Sequence, residues 1–359
     1  MAFLKIDHVA IRGVAACVPP KVEENKDLPF YGPGEAEQVM AATGIERRHV
    51  ATSDIAVSDI CHKAAQRLID ELGWEKDSID LLTLATQNPD YHNHPTSFVV
   101  HDLLGLSENT MCLDFFHGCP AWVASLSAVA SMLSSGRIKR ALLLDGDTAT
   151  KGQYALDRES KPLFGDAAIA MAVEYQEGAP SMCFNWGTKS EDGMTLARTQ
   201  GGYSNPYTME TLKTQLDLLS GAVAPGVNSD HMDSMDVFSF AITKVPKAIK
   251  KLCSEYEIDI EDIDKLVLHQ ANKLIIEAIA KRLKTPMEKV PMSLQNYGNT
   301  TSASIPLTMV SECADDYRTK RQKTLACGFG TGLSWGAVYF ETENLIIPDV
   351  VIYNKEDHV

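Results

Sequence analysis

Cys119, His269 and Asn299 are the residues of this sequence whose types and settings suit covalent chemistry. Cys119 stands in LDFFHGCPAWVASLSAVASML, where a strand-like run ends at His117-Gly118 and Pro120 fits the first position of a helix. A thiol so placed meets the positive end of a buried helix. That field lowers a thiol pKa, and the helix's first N–H groups face a developing oxyanion. The chemistry expected is nucleophilic attack by the thiolate. A buried structural cysteine at a strand–helix junction is the alternative, and these residues alone leave both open.

His269 opens HQAN at the end of IDKLVL, an apolar run that reads as a buried strand. The carboxyl ends of such strands are where α/β sites gather. A hydrogen-bonded core histidine competes with that reading. Asn299 lies in QNYGNTTSASIP, where Gly298 permits a tight turn and the small residues after it permit close packing. A turn asparagine or helix cap competes here. CGFGTGLSWGA, with glycines at 328, 330, 332 and 336, lacks both the lysine of a P-loop and the spacing of a dinucleotide fingerprint. It suits a turn that brings backbone close to a reactive centre. Tyr91-His92-Asn93-His94 imitates metal spacing, but with no third ligand nearby a loop or pocket wall is expected, and no metal site.

Alternating strand-like and helix-like segments must position these residues, the pattern of a layered α/β fold. Val57–Leu72 is amphipathic at the helical period, and the apolar run IDLLTLATQN follows from Ile79. Residues 120–134 are apolar or small on every face, which predicts a helix at the protein's centre. Arg140–Asp145 and Ala167–Tyr175 read as buried strands. The order then repeats, with helix-like Phe240–Cys253, an acidic connector and IDKLVLHQAN from Ile263. IDLLTLATQN lines up with IDKLVLHQAN, and FGDAAIAMAVEY from Phe164 with FGTGLSWGAVYF from Phe329. Two related halves are expected, 1–177 with the cysteine and 178–359 with the histidine and asparagine. The polar stretch 188–230 reads as an insertion over one face, with a helix around Met209–Leu219.

A length of 359 residues suits two such halves better than one core. Hydrophobic residues at 45% and charged residues at 23% exclude general disorder. The balance of 33 − 48 = −15 repels phosphate backbones, so nucleic acid is not an expected partner. Lys5, Asp7 and His8 interrupt the start where a signal peptide needs an apolar core. No run of about 18 uncharged apolar residues occurs, so no membrane span is expected and the location read is cytoplasmic. The eight cysteines form no C-x-x-C pair. In a reducing compartment all but Cys119 default to small buried hydrophobes.

Taken in order, the Cys-Pro-Ala helix start at 119–121, HQAN at 269–272, NYGNTTSAS at 296–304 and FGTGLSWG at 329–336 resemble the β-ketoacyl-acyl carrier protein synthase III family. The resemblance runs over nearly the whole chain, from VPP and ATGIERRH in the first fifty residues to the final strand. It implies a thiolase-like fold, two α/β halves stacked in a five-layer αβαβα arrangement, and a homodimer. It implies that Cys119 takes an acyl group from a thioester, while His269 and Asn299 handle decarboxylation of a malonyl-type acyl carrier protein thioester. The product is a new carbon–carbon bond by Claisen condensation, with no cofactor beyond coenzyme A or carrier thioesters as substrates. The backbone N–H groups of Cys119 and Thr331 are implied as the oxyanion hole. Substrate contacts are implied at Arg158, Thr43, Asn272, His94, Gly330 and Gly332.

Departures from the family pattern bear on the substrate. Members using coenzyme A primers commonly have tryptophan and arginine where this chain has Gln38 and Ala42. Leu274 replaces the usual arginine beside HQAN, Thr331 stands where glycine is usual, and Phe115-Phe116-His117-Gly118 replaces small residues. His94 takes a position that is often an apolar wall. Together they point outside housekeeping fatty-acid initiation. A competing reading keeps the fold and Cys119 but passes the acyl group to an oxygen or nitrogen nucleophile without decarboxylation. A non-catalytic scaffold would be expected to lose one of the three residues. Carrier docking is expected on Lys244, Lys247, Lys250 and Lys251, at near-helical spacing, and on Lys273 near the site mouth, extended by Lys281, Arg282 and Lys284. An ordinary solvated helix face is the alternative for the first cluster.

Overall fold

The apolar runs become the strands of two large sheets in the computed structural model, which describes residues 2–153, 157–192, 194–199, 201–211, 213 and 230–358. The first part of the chain forms β1 (Ala2–Ile6), β2 (Val9–Val18), β3 (Lys21–Glu24), β4 (Arg47–Val50), β5 (Leu81–Ala85), β6 (Met111–Phe115), β7 (Arg140–Asp147) and β8 (Ala167–Tyr175). Its helices are α1 (Glu35–Thr43), α2 (Val57–Leu72), α3 (Thr96–Leu104) and α4 (Ala121–Leu133). The later strands are β9 (Met182–Thr188), β10 (Leu196–Arg198), β11 (Asp230–Met232), β12 (Lys265–Leu268), β13 (Gln322–Gly330), β14 (Ser334–Thr342) and β15 (Val351–Ile352). Their helices are α5 (Ser234–Glu255), α6 (Lys273–Leu283), α7 (Leu294–Tyr297) and α8 (Ser304–Thr319).

Of the four sheets among the described residues, β3-β4 and β10-β11 are two-stranded; of the two large ones, the first has the order β15-β2-β8-β7-β5-β6 and the second β1-β9-β14-β13-β12. In the first, β5 runs parallel to β7, β7 antiparallel to β8 and β8 antiparallel to β2. In the second, β12 runs parallel to β13, β13 antiparallel to β14 and β14 antiparallel to β9. The two patterns are the same. The segments aligned in the sequence, β5 with β12 and β8 with β14, hold equivalent places. The chain ends cross between the sheets, β1 pairing with β9 and β15 with β2.

α4 and α8 fill the space between the sheets. Trp122, Leu126, Val129 and Leu133 of α4 share one core with Leu143 and Met171 of the first sheet and Ala326 and Val338 of the second. A helix covered on both sides has no face for charge, which accounts for its uncharged sequence. α2 covers the outside of the first sheet with Ile60, Cys61, Ala64, Ala65 and Leu68, its polar face outward. α5 and α6 cover the outside of the second. The layers are therefore αβαβα.

α5 starts before the expected Phe240, because Asp233 caps it, accepting from the Met235 and Asp236 N–H groups at 3.1 and 3.0 Å. It also carries Pro246 in its interior. In the expected insertion, β10 pairs antiparallel with β11. The helix read over Met209–Leu219 falls for the most part outside the described residues. Among the described residues no helix is long and apolar enough to cross a membrane.

Candidate active site

β6 delivers the chain to Phe116-His117-Gly118, and Cys119 follows immediately before Pro120 caps α4. The helix begins at Ala121, one residue later than the sequence suggested. The glycine-rich end of β13 packs against this corner. A Cβ on Gly330 would lie 2.8 Å from Cys119 Sγ, and one on Gly118 would lie 2.5 Å from the Thr331 Cβ. Only glycine allows so close an approach of the two segments. Thr331 keeps a negative φ, so its side chain causes no backbone strain. The N–H groups of Thr331 and of Cys119 itself both hydrogen-bond to the sulfur.

The thiol's electrostatics overturn one expectation. Burial pushes Cys119 up to about 12, and the neighbouring Asp147 and Asp145 push in the same direction. The two N–H groups pull the other way without prevailing. The helix-end field was visible in the local sequence; the burial and the carboxylates come from elsewhere in the fold. Burial and the two carboxyl groups together favour the neutral thiol at Cys119.

His269 follows the last residue of β12, with its N–H donating to the Cys327 carbonyl at 2.9 Å. The ring is buried, with Nδ1 at 2.9 Å from Ser304 Oγ and Phe329 edge-on at 5.3 Å between centroids. Burial pushes its pKa down to about 4, while a hydrogen bond to the Thr301 backbone works in the opposite sense. The imidazole is neutral at neutral pH. The next residue, Gln270, is also buried and ties Ser293 N to its Oε1 at 3.0 Å.

Asn299 is held by backbone bonds to the first half: its N–H donates to Leu163 at 2.8 Å, and its carbonyl accepts from Gly165 at 3.1 Å. Its Oδ1 accepts from Thr301 N–H at 3.0 Å, which leaves the Nδ2 protons as its free donors. The turn beyond it is anchored by two buried carboxylates at the end of β7. Thr301 Oγ1 donates to Asp147, and Ser302 Oγ donates to Asp145 at 2.5 Å. These carboxylates were not singled out from the sequence. Their signal is the D-G-D that ends an otherwise apolar strand.

Cys119, His269 and Asn299 thus gather round the end of β13, with Gly330 against the thiol, Phe329 against the imidazole and Thr301 touching both His269 and Asn299. The other expected residues fare differently. Arg158 pairs with Glu35 at 2.5 Å and lies over the Tyr31 ring at 6.0 Å. Thr43 donates to Val39 O at 2.7 Å within α1, and Asn272 caps α6 by accepting from Ile275 N–H at 2.9 Å. Both side chains have structural work. His94 sits on an exposed loop against Tyr91 and Phe98. Gly332 packs against Ser334.

The lysines expected to dock a carrier separate into two places. Lys247, Lys250 and Lys251 of α5 line a groove of about 410 Å³ with Arg282 of α6, and Lys244 is not among its walls. Lys273 stands at the other end of α6, its Cβ against Gly44 and its Nζ 3.9 Å from Glu277. At about 1.5 Å per residue, Lys273 and Arg282 are roughly 13 Å apart along the helix.

The sequence profiles of 3-oxoacyl-[acyl-carrier-protein (ACP)] synthase III match this chain at residues 113–190 and, for the C-terminal part, 253–342. A β-ketoacyl-[acyl-carrier-protein] synthase III of Fusobacterium nucleatum is 30% identical over 333 residues, covering 92% of this chain and 98% of its own. One from Prochlorococcus marinus is 33% identical over 344 residues, covering 92% and 95%. The crystal structure of a 3-oxoacyl-(acyl-carrier protein) synthase from Burkholderia xenovorans LB400 superposes with a TM-score of 0.90, at 30% identity, over 98% of this chain and 99% of that one.

Proposed function

The chain belongs to the β-ketoacyl-[acyl-carrier-protein] synthase III family, enzymes of decarboxylating Claisen condensation, and on that premise we propose that Cys119, His269 and Asn299 carry out this reaction. The Cys119 sulfur attacks the carbonyl of a starter acyl thioester, and the thiol proton leaves with the departing thiolate. The result is an acyl-Cys119 thioester, the first half of a ping-pong cycle. A malonyl-type thioester then binds, and its carboxylate departs as carbon dioxide. The bonding pair passes into an enolate whose oxygen accepts from His269 Nε2–H and Asn299 Nδ2–H.

The enolate carbon attacks the acyl-Cys119 carbonyl. The oxyanion so formed accepts from the N–H groups of Cys119 and Thr331. Collapse breaks the carbon–sulfur bond, and Cys119 takes up a proton. Thiol, imidazole and amide suffice for every step, so the proposal invokes no metal or redox cofactor.

The observation that carries this reading is the pair of N–H groups aimed at Cys119 Sγ, beside a neutral imidazole and an amide whose oxygen is already engaged. A non-decarboxylating transferase has less need of the last two as a pair, since an acceptor hydroxyl or amine calls for a base rather than for two donors. The test is intact-protein mass spectrometry after incubation with a panel of acyl thioesters, followed by carbon dioxide release on adding malonyl-carrier thioester. Acyl uptake without carbon dioxide release, whatever the malonyl donor, would favour acyl transfer to an oxygen or nitrogen nucleophile.

We also propose a homodimer joined along β6. This strand is an edge of its sheet and exposes Met111, Leu113 and, just beyond it, Phe116 at 80% exposure. Unpaired apolar edges are seldom left open in stable proteins. A cytoplasmic location fits the same reading, since a reducing compartment keeps the eight free cysteines as thiols. The carrier protein, as partner, is assigned to the basic groove of Lys247 and Lys251 and to Lys273 nearer the site.

A further inference from the structure

We propose that Ser304 is a positioning residue that fixes the tautomer of His269, holding its proton on Nε2. The proposal deepens the condensation reading, because it supplies the reason that His269 presents a donor, rather than a lone pair, to the enolate oxygen.

Ser304 is fully buried at the start of α8. Its hydroxyl oxygen lies 2.9 Å from His269 Nδ1 and accepts from the Gln270 N–H at 3.2 Å. A serine hydroxyl has one proton to give. With one lone pair facing Gln270, the acceptor at hand for that proton among the described contacts is Nδ1. A neutral imidazole whose Nδ1 accepts must carry its single proton on Nε2. Burial keeps the ring neutral, so the doubly protonated form, which would turn the hydroxyl round, is disfavoured at neutral pH.

Neighbouring bonds hold the serine still. The Ser304 carbonyl accepts from Thr308 Oγ1 at 2.7 Å, and that hydroxyl lies 2.8 Å from Ser293 Oγ. Phe329, edge-on to the imidazole, limits its rotation. In the rival tautomer, Nδ1–H donates to Ser304 Oγ, and a lone pair on Nε2 then faces the thioester oxygen. Two acceptors facing each other repel, and the enolate loses a donor.

Nitrogen-15 histidine labelling of the full chain tests this directly. Long-range proton–nitrogen NMR reads which ring nitrogen bears the proton, and a His269→Asn variant assigns the signals. The expected spectrum has Nε2 protonated and Nδ1 as acceptor, with the bias lost in Ser304→Ala. In kinetics, Ser304→Ala should acylate Cys119 normally but decarboxylate malonyl thioester roughly tenfold more slowly, less than the loss of a whole oxyanion donor. Ser304→Thr should restore much of the rate. A proton on Nδ1 in the unaltered protein overturns the proposal even if both variants fail to fold. So does undiminished decarboxylation by Ser304→Ala. If the unaltered protein releases no carbon dioxide from any malonyl thioester, the condensation reading fails while the NMR result still decides the tautomer.

Discussion

Thr301 donates its hydroxyl proton to Asp147, and that bond ties the turn carrying Asn299 to the end of β7 in the other half. Thr301 has φ +52, a left-handed conformation that β-branched residues rarely adopt. Such a conformation persists where the surroundings over-determine it. Here they do so through Asp147, whose other oxygen accepts from Thr86 Oγ1 at 2.9 Å and Gln87 N–H at 2.7 Å. Asp145 repeats the arrangement with Ser302. The place of Asn299 is therefore set from across the molecule.

Replacing Asp147 tests that dependence. Asp147→Ala leaves Thr86, Gln87 and Thr301 without their acceptor in a buried site. At about 1–3 kcal/mol per orphaned group, partly relieved by relaxation, the expected loss is on the order of 3 kcal/mol in denaturant melts. Decarboxylation should fall further than Cys119 acylation, because the Asn299 turn moves while the thiol corner keeps its glycine packing. An unchanged midpoint would show that the turn is held by other contacts.

The thiol makes a prediction in pH. With Cys119 pushed up to about 12, its thiolate fraction rises roughly tenfold per pH unit through the neutral range. Alkylation by iodoacetamide should follow that slope between pH 7 and 10. Levelling off near neutrality would mean that the helix end activates the thiol after all. Acyl thioesters should choose Cys119, where the two N–H groups receive the oxyanion. Cys119→Ala should abolish the acyl adduct.

The two donors divide from the nucleophile by half-reaction. His269→Ala and Asn299→Ala should each leave acylation of Cys119 largely intact and slow carbon dioxide release on the order of 10²–10³. Rapid-quench mass spectrometry and labelled malonyl thioester separate the two steps. Variants that decarboxylate at full rate but fail to acylate would exchange the assigned roles.

Much of this was legible in the chain because the signals were local. α2 was bounded at Val57 and Leu72 by its own apolar period, and α4 by the absence of any charge. The repeat showed because equivalent strands kept similar apolar runs. What stayed hidden depends on distant partners. The raised thiol pKa needs burial and Asp147; the tautomer of His269 needs Ser304, one of several small residues after Asn299. Asn272 and Thr43, read as substrate contacts, also bond at their own helix ends. A capping bond leaves the same mark in a sequence as a binding residue does.

The last prediction concerns carrier docking. Acyl carrier proteins are acidic and this chain carries −15, so the encounter needs a local basic surface that outweighs repulsion near contact. Lys247, Lys250, Lys251 and Arg282 supply one in a single groove. Lys273 is a separate case: Glu277 lies close enough to offset part of its charge, and Leu274 beside it is exposed and apolar. Two kinds of contact are then expected. Reversing Lys247 and Lys251 to glutamate should raise KM for carrier-bound substrate several-fold at low salt, with no effect on short thioester mimics. That effect should fade as salt rises, since rim charges act mainly on encounter rate. Reversing Lys273 should have a smaller salt dependence, because its stem also packs on Gly44 and shapes the surface there. Steady-state kinetics with carrier-bound and mimic substrates across a salt series measures both. Equal KM for the groove variant and the unaltered protein at low salt would move the docking surface off α5.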